Sequence, residues 1–192
     1  MGDSPLEELE AHEHAEHAEH AGHGAHDGDP LISRVTMTIA IMAVLAAVSA
    51  TLETTEGDKT IVTKNEAVLQ QNQATDAWNF YQAKSLKKNL YSLAADQGGP
   101  KSAEYAKTAA QNGADQAGIA RTAKAFEAAR DRLSEEAEVH ERRHSRLTIA
   151  STLMHMAIAI ATLAIILRRR WPWRTAMALT LGGLALAAWA YL

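Results

Sequence analysis

The sequence predicts an all-α membrane protein with three transmembrane helices and a long, coiled-coil-like extramembrane helical hairpin between the first and the second. Three observations carry this. Residues 35–52, 147–167 and 175–192 contain no Asp, Glu, Lys or Arg, and each run approaches the roughly 20 residues that an α-helix needs to cross the hydrocarbon layer. Residues 53–146 hold 14 Lys and Arg against 14 Asp and Glu, the balanced, Ala- and Gln-rich composition of solvated helices. Residues 1–33 carry nine acidic side chains and six histidines with no Lys or Arg, too little apolar surface to offset the entropy of ordering.

The expected organisation is therefore a disordered acidic tail over 1–33 and transmembrane helix 1 over 34–52. The hairpin follows over 53–146 and transmembrane helix 2 over 147–167. An Arg/Trp loop over 168–174 leads to transmembrane helix 3 over 175–192. The first apolar run follows an acidic tail, whereas a secretory signal opens on a basic region near the N-terminus. It reads as a retained anchor, although Ala47, Ser49 and Ala50 offer small residues of the kind found at cleavage sites.

Ala43, Ala46, Ala47 and Ala50 in the first span and Gly182-Gly183 in the third are small residues that let helices approach closely in lipid. Trp171, Trp173, Trp189 and Tyr191 fall where interfacial anchors are expected. The membrane-interface set is Arg168, Arg169, Arg170, Trp171, Trp173 and Arg174. Four arginines in so short a loop predict that 168–174 is cytoplasmic. The tail then shares that side, and 53–146 faces the opposite compartment. Arg142, Arg143 and Arg146, at the start of the second span, pull the other way.

Between about Thr60 and Ala95 there is no Gly or Pro, and the run is rich in good helix formers. Asp96-Gln97-Gly98-Gly99-Pro100 stops the helix and turns the chain. After a second soft spot at Asn112-Gly113, a stripe of Ile119, Ala123, Phe126, Leu133, Ala137, His140, His144 and Leu147 alternates in steps of mostly three and four, as one helix face requires. Each arm extends about 50 Å at 1.5 Å per residue.

Two helices with few large apolar residues bury little core, so the hairpin is expected to pair with further copies or with other membrane proteins. Asn65, Asn72 and Asn79 recur every seven residues, followed in register by Leu86 and Leu93. Amides at heptad spacing set register and copy number when they are buried against one another. They are equally compatible with a merely solvated face.

The segment Trp78-Asn79-Phe80-Tyr81-Gln82-Ala83-Lys84-Ser85-Leu86-Lys87 stands with the His/Glu tail, the first span and the Arg-Arg-Arg-Trp loop before a terminal span. On these residues nearly the whole chain resembles a bacterial membrane family known as domain of unknown function 4337. The resemblance implies a bacterial inner membrane, a multi-pass three-span helical build, and no assigned reaction, substrate or cofactor. Read physically, Trp78, Tyr81, Lys84, Ser85 and Lys87 lie within a few turns of one helix. Aromatic side chains with polar tips beside Lys84, taken as unpaired, form a docking face for a protein or an anionic headgroup. The alternative is packing against the returning helix near Phe126.

Histidine supplies the remaining chemistry. His12, His14, His17, His20, His23 and His26 alternate with Glu and Asp in the tail, and such a chain binds Zn, Ni or Cu weakly. The plain alternative is a solvated tract whose charge changes between about pH 5 and 7. His140 and His144 are four residues apart, and His155 follows eleven residues later within the second span. An ionisable residue inside a span marks a functional hypothesis, here a proton or metal face. The bland reading has His155 bonding a neighbouring helix through Ser151 or Thr152, with His140 and His144 lining the interface.

There is no phosphate loop, dinucleotide fingerprint, nucleophile elbow or cysteine, and the charge balance disfavours nucleic acid. The expectation is a non-enzymatic, homo-oligomeric scaffold or interaction protein in the lipid bilayer, without a resident cofactor. The alternative is a metal- or proton-responsive membrane protein using its histidines.

Overall fold

The computed structural model describes residues 30–192. They form three helices and no strand: α1 (Pro30–Asp96), α2 (Ser102–Leu167) and α3 (Arg170–Trp189). The all-helical expectation holds. The tail histidines His12, His14, His17, His20, His23 and His26 lie outside the described residues.

Three expected boundaries move. α1 begins at Pro30, inside the stretch assigned to the tail, because the fixed φ of proline suits a first helical turn. It then continues as one helix of 67 residues. Asn112-Gly113 does not interrupt α2, which runs from Ser102. A lone glycine costs a helix only about 1 kcal/mol, and the Asn112 amide donates back to the Thr108 carbonyl at 2.8 Å. The loop before α3 shrinks to Arg168 and Arg169, since Pro172 sits in the first turn of α3, where its missing N–H has no helical partner to lose.

The turn after α1 falls where the glycines predicted it. Gly98 and Gly99 adopt φ of 73° and 115°, and the Ser102 hydroxyl donates to the Ala95 carbonyl at 2.9 Å. α2 ends differently: Arg168 takes the left-handed conformation at φ 50°. Its N–H and that of Arg169 bond back to the carbonyls of Ile165 and Ala164, a glycine-type C-cap built on an arginine.

The chain divides into two compact units. One comprises Lys59–Val139. Here the buried positions of α1 include Thr60, Thr63, Ala67 and Ala74, and those of α2 include Ala109, Asn112, Ala123 and Ala137. Their spacings add to seven in α1 and to fourteen in α2, and their small side chains let the two backbones pack as an antiparallel pair. Trp78 donates from Nε1 to Glu127 Oε1 at 2.8 Å, and Lys84 meets Asp115 at 2.8 Å. Tyr91 stacks obliquely on Tyr105 near the turn.

The other unit joins 30–58 of α1 to residues 140–167 of α2 and to α3. Its interior is made by Val35, Ile39, Met42 and Ala46 of α1, Met154, Ala157, Ile158, Ala161 and Ala164 of α2, and Ala176 of α3. Outside stand Met37, Ile41, Val44, Val48, Ile149, Met156, Leu163, Ile166 and Leu181, all exposed. Large apolar side chains facing outward around an interior that is half alanine are the reverse of what water selects. Both α1 and α2 carry an 18-residue stretch long and apolar enough to cross a membrane. α3, 20 residues long, opens on Arg170 and includes Arg174, so its charge-free stretch is shorter.

Gly183 lets α3 lie against α2. A methyl group in its place would stand 3.0 Å from the Ala150 carbonyl oxygen and 3.1 Å from Met154 Cγ. Near the other end of α3, Trp173 Nε1 donates to Thr38 Oγ1 at 3.0 Å.

Candidate functional site

The residues with the most specific chemistry gather where the charge-free stretches of α1 and α2 end. Glu53 and Glu56 occupy the inward register of α1, four and seven residues past the buried Ser49. Glu56 is only 2% exposed, and a buried carboxylate is costly unless it is hydrogen-bonded. His140 meets it, Nδ1 to Oε2, at 2.6 Å, and an Arg143 guanidinium nitrogen stands 4.0 Å from the same oxygen.

One turn along, His144 Nδ1–H donates to the backbone carbonyl of Glu53 at 3.0 Å. That carbonyl also accepts the helical bond from the Gly57 N–H. A side chain at position 57 would cover it: an added Cβ would lie 3.2 Å from both Cε1 and Nδ1 of His144. Gly57 therefore opens the α1 backbone to the imidazole. The Glu53 carboxylate is held in turn by the Thr148 hydroxyl at 2.7 Å.

Arg143 and Arg146 also secure the end of α3. Arg146 donates to the Trp189 carbonyl at 3.0 Å and stacks over the Trp189 ring at 4.2 Å. Arg143 lies 5.3 Å from the centre of the Tyr191 ring. Carbonyls at a helix C-terminus carry partial negative charge, so cations are favoured there. The arginines that complicated the orientation rule thus have structural partners.

Of the three-histidine face, His140 and His144 come together with α1, while His155 is half-buried and lies about 16 Å of helix rise beyond His144. Among the described residues no three or more His, Asp or Glu side chains converge on a metal-sized site. In the aromatic patch, Trp78 and Tyr81 pack edge-to-face with centroids 5.5 Å apart. Lys84, expected to be unpaired, is instead bound to Asp115 and lies 5.5 Å from the Phe80 ring centre. α2 supplies the partner because its antiparallel register brings Asp115 opposite Lys84. Ser85 is half-buried and Lys87 exposed.

Asn65, Asn72 and Asn79 are exposed on α1 and take no part in packing against α2. Arg168, Arg169, Arg170, Trp171 and Arg174 are exposed, and Trp173 is half-buried on Thr38. Sequence reasoning missed Glu53, Glu56 and Gly57. Their signal was two acidic residues on the buried register immediately after a charge-free run, opposite histidines four residues apart.

Helices of this length, interlocked by a buried Glu–His pair and sheathed in apolar side chains, define a helical-hairpin protein with two membrane-compatible helices. The chain belongs to the family described as Domain of unknown function (DUF4337), whose model matches residues 31–192. No curated protein and no solved structure matches it.

Proposed function

We propose that the protein is a non-enzymatic, homo-oligomeric scaffold of a bacterial inner membrane, anchored by three spans and presenting 59–139 to partners outside the bilayer. The observation that carries this reading is the set of large apolar side chains left exposed in that unit. Ile61, Val62, Val68, Leu69, Phe80, Leu86, Leu90 and Leu93 are each more than half exposed in a stretch otherwise balanced in charge. Large apolar side chains exposed in this number on a solvated helix mark an interaction face. The exposed aliphatic sheath of the other unit supports the bilayer as its surroundings, with α3 as the third span. The arginines at 168–170 and 174 support a cytoplasmic placement of that loop and of the tail.

Native mass spectrometry of protein extracted gently from its own membrane, with and without a chelator, tests the proposal. A defined oligomer or stable partner complex, unchanged by chelation, is expected. A lone monomer without bound protein overturns it.

One observation favours a second reading, a proton-responsive membrane protein. His140 and the buried Glu56 share a short contact, with Arg143, Glu53 and His144 around it. If this pair is a switch, thermal stability of the intact protein follows pH differently in a His140→Ala variant. Parallel profiles refute it.

A further inference from the structure

The exposed residues of α1 in the 59–139 unit form a second seam, opposite the one that packs on α2. Asn65, Asn72, Asn79, Leu86 and Leu93 fall at one heptad position, and Ile61, Val68, Thr75, Gln82 and Asn89 at the position that partners it in a two-stranded coil. Ile61, Val68, Leu86 and Leu93 are 59–71% exposed. The stripe thus alternates aliphatic side chains with amides at both ends and is polar through its middle.

We propose that this face docks on the same face of a second copy of the chain, as a parallel, in-register coil of α1 against α1. The proposal rests on the oligomeric, membrane-anchored reading and specifies its interface.

Three arguments select a second copy running parallel. Copies inserted with one topology send α1 out of the bilayer in the same direction, so the twofold axis relating them runs along the membrane normal and the paired helices run parallel. In a parallel coil each core position meets its own counterpart. Asn65, Asn72 and Asn79 then face identical amides, each offering a donor and an acceptor, whereas a one-heptad shift sets Asn79 against Leu86. The flanking positions are also free of like-charge conflict: in parallel register Lys64 comes beside Leu69, Gln71 beside Asp76, Trp78 beside Ala83 and Ser85 beside Leu90. A dissimilar helix would leave the buried amides without matched partners.

The chain contains no cysteine, so single cysteines report the interface directly. Asn72→Cys, Asn79→Cys and Leu86→Cys full-length proteins, oxidised in their native membranes, are expected to form disulfide homodimers. The yield should be about an order of magnitude above that of Ala128→Cys, on the exposed surface of α2, because only paired core positions approach within disulfide reach. Adding Asn72→Asp and Asn79→Asp to Leu86→Cys sets like charges against each other and should abolish its crosslink.

Yields at 72, 79 and 86 no higher than at 128 overturn the proposal. So does a preference for mixed 72–86 disulfides when the two variants are co-expressed, since that reports an antiparallel pair. An oligomeric native mass without these crosslinks leaves the scaffold reading standing and removes this interface alone.

Discussion

His144 donates its imidazole N–H to the backbone carbonyl of Glu53, 3.0 Å away, across the space that Gly57 leaves empty. A side chain on α2 thereby bonds the main chain of α1, which fixes the rotation of one helix against the other at the end of the charge-free stretches. Four expectations follow from this and from neighbouring contacts.

Gly57→Val forces a branched side chain into the imidazole. Overpacking of this kind costs about 1–3 kcal/mol, more than the helix propensity gained. Gly118→Ala, where an added Cβ meets nothing within 4 Å, should instead stabilise α2 by about 1 kcal/mol. Thermal unfolding in detergent should move the two midpoints in opposite directions; a Gly57→Val midpoint at or above wild type refutes the role given to the gap.

Glu56→Ala removes the acceptor that holds His140 and should cost about 1–3 kcal/mol, the range for stranding a buried polar group. Glu56→Gln keeps an acceptor oxygen at the same place and should lose distinctly less. Equal losses, read by denaturant unfolding of the 30–58 and 140–192 unit, would mean that packing rather than the hydrogen bond carries the contact.

Gly183→Leu places a side chain against the Ala150 carbonyl, whereas Gly182 has nothing within 4 Å of its own Cβ direction. α3 should detach in the first case and stay in place with Gly182→Ala. Protease protection of the segment after Leu167, compared in membranes, reads the difference.

Arg168→Gly relieves a left-handed residue with φ 50°. Side chains other than glycine pay roughly 1 kcal/mol in that conformation, so unfolding should shift upward by about that amount. An unchanged midpoint refutes the strain assigned to Arg168.

Much of the fold is legible in the sequence. The glycine pair at 98–99 announced the turn because only glycine takes two successive positive φ values without penalty. The stripe from Ile119 to Leu147 reported the inward face of α2 because burial follows the helical period. Legibility failed at residues 30–33, where Pro30 opens the helix earlier than the charge-free run, and at Asn112-Gly113, where one glycine costs too little to break it. It failed again at Lys84, whose partner Asp115 lies 31 residues away. The candidate site was half visible: the histidines stood out as chemistry, while Glu53 and Glu56 resembled ordinary surface acids until their register was known.

By itself the sequence determined the helical class, the charge-free lengths, the chain reversal and the family, because each depends on composition or on periods shorter than two turns. Only the tertiary structure decided that Glu56 is buried against His140, that Gly57 exposes a carbonyl to His144, and that the asparagines lie away from the hairpin's own seam. Those outcomes depend on how α1 and α2 are rotated and aligned against each other. That alignment is set by summed packing along two long helices, which no local stretch encodes.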